Sequence, residues 1–460
     1  MTLIEPQYIS YKDPDARVLK TEAGYLRYIF ISYKEQYNHL MKSGLFDELI
    51  KKQLLIPHQE IISHSTDENI YKLLLPEQIN FQSYPFEWSF TQWRKAIFAF
   101  LKINQIALKY GMILKDATPY NFYFKAGRAT LFDTSSFAFF KENEPWLAYR
   151  QFCETFFAPI ALMKYNGTNW AKLTMVDLTG LPIQFVSKQL PIKSWFNISC
   201  LLHIHLHAKY EFKRNNKTTA QKGFSIKKME LLLDMFISTV KSWKNPYLFN
   251  ENWVNYYVQD IESPEYLKAK QQIITEWLHS SKPNSVIDLG ANTGLFSMIA
   301  SKIANHVIAV ESNASCVDII DKKISESNIQ NITIIVADLS ATSPALGMLN
   351  KEYVTLLERG KSNMVLALAL IHHLCIAKNL SIKHVAELFS TLSTEYLIVE
   401  YIPKTDSKVK LLLKSREDIF NDYTEANFKT QISKLFELVE ETRIDQSERI
   451  LYLWKKKSIL

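Results

Sequence analysis

The segment VIDLGANTGLF, residues Val286–Phe296, reads as a strand, a glycine turn and the start of a helix. Glycine is scarce in this chain, 11 of 460 residues, and Gly290 and Gly294 are its only close pair. Glycine serves where a backbone must turn tightly or lie close to a ligand, so the pair marks a candidate site. Working outward, strand SVIDLG leads to helix GLFSMIASKIA, strand HVIAVES, helix ASCVDIIDKKISES and strand ITIIVADL. An insertion from Ala341 to Ser362 precedes strand NMVLALAL. Helix IKHVAELFSTLS, strand EYLIVEYIP, a helix around ANFKTQISKLF and strands FELVEETRI and RILYLWK complete the run. Short apolar strands alternating with amphipathic helices predict an α/β fold, a mostly parallel sheet covered by helices on both faces. The short turn DQSE between the last two strands predicts an antiparallel hairpin at the sheet edge.

A glycine-rich turn between strand and helix serves NAD, a phosphate or S-adenosylmethionine. The NAD fingerprint GxGxxG offers bare backbone N–H groups to a pyrophosphate. Here the spacing is GxxxG, with Asn292 where the middle glycine would stand, and Asp288 just ahead of the turn repels a pyrophosphate. The same acid suits a cationic amino-acid tail, and S-adenosylmethionine carries an ammonium, a sulfonium and no phosphate. The next strand ends at Glu311, seventeen residues after Gly294, where a carboxylate can accept both ribose hydroxyls. The third ends in Ala337-Asp338-Leu339, with Asp338 positioned for an adenine amino group and Leu339 beside it. An acid, GxxxG, an acid and an acid at successive strand ends resemble the class I S-adenosylmethionine-dependent methyltransferases. That resemblance implies a Rossmann-like sheet with S-adenosyl-L-methionine as cofactor, and its motif residues fall on Asp288, Gly290, Asn292, Gly294, Glu311 and Asp338.

Methyl transfer is an in-line displacement, so positioning does most of the catalysis, aided by a base where the acceptor loses a proton. In a doubly wound sheet the acceptor belongs over the carboxyl end of the fourth strand. That strand runs into Ile371-His372-His373-Leu374, and the two imidazoles are the candidate general bases. In an extended segment only one of them faces a pocket. Amino-methylating members of the family place an (Asn/Asp)-Pro-Pro-aromatic motif here, and its absence argues against DNA bases and protein amides as acceptors. Glu400 and Tyr401, with Arg416, Glu417 and Asp418, are further candidates to line the acceptor site.

Before residue 245 the pattern differs. Strand candidates ARVLK, YLRYIF, EIISHS and IYKLLLP surround the helix YKEQYNHLMKSGLFDELIKKQ, and after Glu87 the chain turns mainly helical, TQWRKAIFAFLKINQIALKYG being the clearest case. The segment Leu114–Phe137 carries Asp116, Asn121 and Asp133. An Asp, an Asn five residues on and an Asp about a dozen later resemble the catalytic and metal-binding loops of protein kinases and aminoglycoside phosphotransferases. The resemblance implies an α+β kinase-like domain in which Asp116 orients an acceptor hydroxyl while Asn121 and Asp133 hold Mg²⁺. Departures are plain: Lys115 and Asp133-Thr134-Ser135 break the usual motifs, and Gly24, the only glycine before Gly44, cannot form a Gly-rich loop over phosphates. Lys20 is the candidate strand lysine. The domain reads as a degenerate kinase relic that binds or docks the acceptor.

The expected organisation is a kinase-like domain over residues 1–245, a linker and leading helix over 246–283, and a methyltransferase domain over 284–460. The segments PFEWSFTQWRKA, LKDATPYNFYF, PWLAYRQFCETFFAPIALM, ALIHHL, EYIPKTD and SREDIFNDY also resemble a bacterial methyltransferase group that includes nodulation-associated proteins. It implies a small-molecule, saccharide or lipid-linked acceptor without identifying it. A bifunctional methyltransferase–phosphotransferase and a non-catalytic S-adenosylmethionine-binding scaffold are the alternatives.

Composition bounds the rest. The chain is 47% hydrophobic and 22% charged, with a net charge of +7 spread along its length, so no nucleic-acid partner is expected. The densest basic stretch, Lys209–Lys228, reads as a polar loop containing Lys213–Gly223. Cys153, Cys200, Cys316 and Cys375 stand far apart with no CxxC pair, which suits no metal site or disulfide framework and fits a reducing cytoplasm. No stretch approaches the roughly 18 apolar residues of a spanning helix, and the N-terminus lacks the apolar run of a signal peptide. His203, His205 and His207 alternate like a metal face but lack a completing ligand and read as core, as do the aromatic residues Trp253, Tyr256 and Tyr257.

Overall fold

The computed structural model describes residues 7–8, 12–21, 24–62, 65–214, 223–245, 263–414, 416–444 and 447–458, the side chains of 7, 8 and 211–214 excepted. The polar loop within Lys213–Gly223, the aromatic stretch 246–262 and its residues Trp253, Tyr256 and Tyr257 lie outside the described residues. The chain forms two compact units, residues 1–247 with 346–353, and residues 248–345 with 354–460.

The first unit begins with a five-stranded antiparallel sheet built from β1 (Gln7–Tyr8), β2 (Ala16–Thr21), β3 (Gly24–Phe30), β4 (His58–Ile61) and β5 (Ile70–Pro76), in the order β1-β2-β3-β5-β4. Between β3 and β4 the helical stretch predicted as one rod is two helices, Lys34–Lys42 and Leu45–Lys51. Gly44 breaks it in a left-handed conformation, φ +91°, which a side chain would resist. Ser89 and Gln92 form a reciprocal capping box that starts the helix Phe90–Lys109. Its buried face, including Phe90, Trp93, Ile97, Phe100 and Ala107, recurs at three- and four-residue steps and centres the unit's core. One polar side chain in that face, Asn104, donates to Phe100 O at 2.9 Å and accepts from Leu114 N at 3.0 Å, so helix and following strand are locked in register. Two short hairpins follow, β6 (Met112–Leu114) with β9 (Phe137–Phe139), and β7 (Phe122–Lys125) with β8 (Arg128–Leu131).

The second unit carries β10 (Ser285–Leu289), β11 (His306–Glu311), β12 (Ile332–Val336), β13 (Ser362–Ala367), β14 (Ser393–Tyr401), β15 (Phe436–Arg443) and β16 (Ile450–Lys456). They form one seven-stranded sheet in the order β12-β11-β10-β13-β14-β16-β15. Strands β10 to β14 are parallel, and β16 runs antiparallel between β14 and β15. Both faces of the central strands are buried, so Val286, Ile287, Val307 and Ile308 read as continuous apolar runs rather than alternating ones. At the edge, β15 is exposed and carries Glu437, Glu440, Glu441 and Arg443, charges that discourage pairing with a further strand. The order reverses between β10 and β13, and doubly wound sheets bind ligands at the carboxyl ends of the strands flanking such a switch.

Candidate functional site

The predicted glycine turn lies at this switch. Gly290 and Gly294 have φ of +74° and +81°, and Asn292 between them has φ +49°. The N–H groups of Gly290 and Ala291 both donate to Val310 O, at 2.9 and 3.0 Å, which fastens the turn to β11. A Cβ on Gly290 would stand 3.2 Å from Leu370 Cδ1, and one on Gly294 3.0 Å from Ile320 Cγ1. Both glycines therefore answer to backbone conformation and to packing at once. Behind the turn Asp288 is 2% exposed and accepts from Ser297 Oγ at 2.6 Å. Burial pushes its carboxyl up to about 6, with the charge of Glu311 adding to the rise.

Glu311, the last residue of β11, accepts from Asn292 N at 2.8 Å through Oε2 and from Asn313 N at 2.8 Å through Oε1. Asn313 in turn caps the helix Ala314–Ser327. Asp338, two residues beyond β12, accepts from Ser340 N at 2.9 Å, Ser340 Oγ at 2.6 Å and Lys378 Nζ at 2.7 Å. Partial burial opposes its charge, but Lys378 and Ser340 outweigh that and hold the carboxyl at about 2. Leu339 beside it is half-buried. Asp288, Glu311 and Asp338 thus stand at the same end of three adjacent parallel strands.

The histidine pair departs from the extended segment read from sequence. Past β13 the chain turns at Ala369, φ +50°, and enters a helical run whose His373–Ala377 part is a wide π-type turn. Both imidazoles come together, ring centroids 4.1 Å apart. His372 is 2% exposed, and among the described residues its Nδ1 has no hydrogen-bond partner. Burial pushes His372 well below the ordinary imidazole value and His373 down to about 4, so both are neutral near pH 7.

A buried charged cluster stands beside them, of which sequence reading singled out only Glu400. Glu400, fully buried, accepts from Lys270 Nζ at 2.5 Å, from Ala369 N at 2.8 Å and from the Tyr266 hydroxyl. Arg449 Nε donates to Asp406 Oδ2 at 2.8 Å, and Arg449 Nη1 reaches Tyr266 Oη at 3.4 Å. Through the N–H of Ala369, Glu400 is tied to the turn that precedes His372. The available signal was Lys270 itself, a charge on the buried Tyr266–Ile274–Trp277 face of the helix Pro264–Ser281. Tyr401 is buried against Tyr423 and Phe428. Asp418 pairs with Lys404 at 2.7 Å on the surface, Glu417 is exposed, and Arg416 donates to Ile376 O in the turn that carries His373.

In the first unit Asp116, Asn121 and Asp133 do come together: Asn121 Nδ2 lies 3.2 Å from Asp116 Oδ2 and 3.4 Å from Asp133 Oδ2. Asp133 also forms an ion pair with Arg27 and accepts from Ser135 N at 3.1 Å, Ser135 Oγ at 2.6 Å and Ser136 Oγ. Burial opposes its charge, yet Arg27 and the two serines hold its carboxyl below the ordinary value. With Arg27 supplying the positive charge and donors filling both oxygens, these residues do not fit Mg²⁺. The cation beside Asp133 is Arg27 on β3, while Lys20 is exposed on β2 opposite Tyr25. The histidine run is helical: His205 is bonded at both ring nitrogens by Ser187 and Ser194, and His203 by Tyr149. All four cysteines are free and buried. Among the described residues no helix is long and apolar enough to cross a membrane.

No family profile matches this chain. It is 28% identical over 463 residues to nodulation protein NoeA of Rhizobium meliloti (strain 1021), covering 97% of this chain and 95% of that protein. Solved structures similar to part of the chain include N-methyltransferase NodS from Bradyrhizobium japonicum WM9 with S-adenosyl-L-homocysteine, at 9% identity and a TM-score of 0.35, covering 46% of this chain and 95% of that one. Magnesium protoporphyrin IX methyltransferase from Synechocystis PCC 6803 with bound SAH gives 15% identity and a TM-score of 0.32, covering 45% and 93%. These structural likenesses are distant, and the strand order and strand-end residues carry the functional reading.

Proposed function

We propose that this protein transfers a methyl group from S-adenosylmethionine to a small-molecule, saccharide or lipid-linked acceptor. The observation that carries the reading is the seat of Glu311, whose carboxylate closes the glycine turn by accepting Asn292 N–H. An acid fixed there suits the hydroxyls of a ribose, while Asp288 ahead of the GxxxG turn disfavours the pyrophosphate of a dinucleotide. Asp288, behind the turn, is the proposed counter-charge for the ligand's ammonium, and Asp338 with Leu339 the proposed adenine contact. Gly290, Asn292 and Gly294 give the turn its left-handed course. The bound cofactor would supply an electrophilic methyl group on sulfur.

His372 and His373 are the proposed proton acceptors. Burial keeps them neutral, the form that takes a proton, and weakens them as bases in the absence of ligand. Such a base suits a nucleophile whose own proton grows acidic as its bond to the methyl group forms. Residues 284–460 are the proposed methyltransferase domain, with 246–283 as linker and leading helix.

For residues 1–245 the order of sheet, intervening helices and two hairpins bearing Asp116, Asn121 and Asp133 supports a kinase-like fold. The Arg27–Asp133 pair favours a docking or acceptor-positioning role over phosphotransfer. The wide separation of the four cysteines in sequence, with no CxxC pair, favours a reducing, cytoplasmic setting. Thermal melting of the intact chain with S-adenosylhomocysteine tests the reading: the ligand raises the melting temperature of the wild type and not of Gly290→Val. No shift in the wild type at saturating ligand counts against it.

A further inference from the structure

We propose that the first unit docks on an anionic lipid surface through an apolar patch built around Phe196. The inference is independent of the methyl-transfer reading. The helix Ile183–Gln189, the turn Ile192–Phe196 and the helical run from Ile198 to Arg214 are one packed body. Ser187 Oγ and Ser194 Oγ bind the two ring nitrogens of His205 at 2.9 and 2.8 Å, and Trp195 stacks on the same imidazole at 4.2 Å. Ser187, Ser194 and His205 are thus directed inward and bonded.

What it presents outward is carbon. Phe196 is 87% exposed, Ile192 78% and Ile198 63%, with Phe185 and Leu202 also exposed. Ile198 and Leu202 are four residues apart on one helical face, and Phe196 precedes them by a single turn. Isolated exposed apolar residues are ordinary, whereas several concentrated in one short stretch mark an interaction site.

Charge decides the occupant. Lys188, Lys193 and Lys209 are exposed around the patch, and residues 178–210 contain no Asp or Glu. Lys209 Nζ lies 5.0 Å over the Trp195 ring and Lys193 Nζ 5.7 Å over that of Tyr165. Beyond the stretch, Lys164 lies within the electrostatic reach of both Lys193 and Arg94. Apolar tips among exposed lysines, in a stretch with no Asp or Glu between Asp177 and Glu211, complement a bilayer whose headgroups are negative: the tips enter the acyl boundary and the ammonium groups remain among the phosphates.

The test is flotation of the full chain with phosphatidylcholine vesicles, with and without phosphatidylglycerol. The proposal expects binding to the phosphatidylglycerol vesicles alone, loss of binding in Ile192→Glu/Phe196→Glu, and about tenfold weaker binding in Lys188→Glu/Lys193→Glu or at high salt. Both variants change surface residues, and an unchanged melting temperature verifies that they fold. No binding to either vesicle, or equal binding by wild type and variants, overturns the proposal. Self-association abolished by Phe196→Glu without vesicle binding also overturns it and assigns the patch to a second copy of the chain.

Discussion

The carboxylate of Glu311 accepts the backbone N–H of Asn292 at 2.8 Å, joining the end of β11 to the glycine turn that follows β10. Because Asn313 N–H binds the other oxygen, the acid is oriented before any ligand arrives. Glu311→Ala removes both this preorganisation and the proposed ribose acceptor. Calorimetry should show S-adenosylhomocysteine binding weakened by about 1.5–3 kcal/mol, the scale of charge-assisted hydrogen bonds. A change in dissociation constant below about tenfold would remove Glu311 from the ribose role.

Gly290→Val should abolish binding and also lower stability. The residue needs φ +74°, and its first side-chain atom would press on Leu370 at 3.2 Å. Left-handed strain in a β-branched residue costs on the order of 1–3 kcal/mol before any clash is counted. A variant that melts like the wild type and binds ligand would contradict the turn's assignment.

Lys270 and Glu400 form an ion pair with side chains 6% and 0% exposed. Removing one partner leaves a buried charge, so Lys270→Met or Glu400→Gln alone should cost about 3–5 kcal/mol in denaturant unfolding. The double variant should cost less than the two single losses added together. Simple additivity would mean the pair does not act as a unit.

Affinity for S-adenosylhomocysteine should rise between about pH 5 and pH 7. A ligand ammonium beside Asp288 favours its ionised form, so binding must expel the proton that burial retains up to about 6. The gain approaches tenfold per pH unit below that value and levels off above it. Asp288→Asn should bind weakly with no such slope, and a flat wild-type profile would disprove the pairing.

Acid should destabilise the fold between about pH 6.5 and pH 4. Burial pushes His58, His203, His306 and His373 down to about 4, so over this range the unfolded chain binds more protons at these sites than the folded one. Stability from them is present above the ordinary imidazole value and is lost as pH falls toward 4. Asp288, raised from 3.8 to about 6, and Asp13 and Asp116, both raised by burial, act in the opposite sense, but His205 and His372 are also lowered, so the histidines outnumber them. A melting temperature constant from about pH 7 to pH 5 would contradict this.

Much of the second unit was legible because parallel strands buried on both faces leave uninterrupted apolar runs, and scarce glycine isolates one turn. The hairpin of β15 and β16 followed from a short polar connection, yet nothing local says that β16 rather than β15 pairs with β14. The ALALIHHL run looked extended because its residues are apolar, and only the positive φ of Ala369 turns it into a helix. Lys270 and Glu400 are 130 residues apart, and Arg27 and Asp133 are 106 apart, so neither pairing has a sequence signature. Register decides such matters: it left Lys20 facing water and directed Arg27 to the buried Asp133.

The most direct test of the account is calorimetric titration of the intact protein with S-adenosylhomocysteine and, separately, with Mg-ATP. The account predicts saturable binding of S-adenosylhomocysteine that Glu311→Ala weakens, and no binding of Mg-ATP, because Arg27 already neutralises Asp133. Failure of S-adenosylhomocysteine to bind the wild type would contradict the central claim, and Mg-ATP binding abolished by Asp133→Ala would contradict the reading of the first unit.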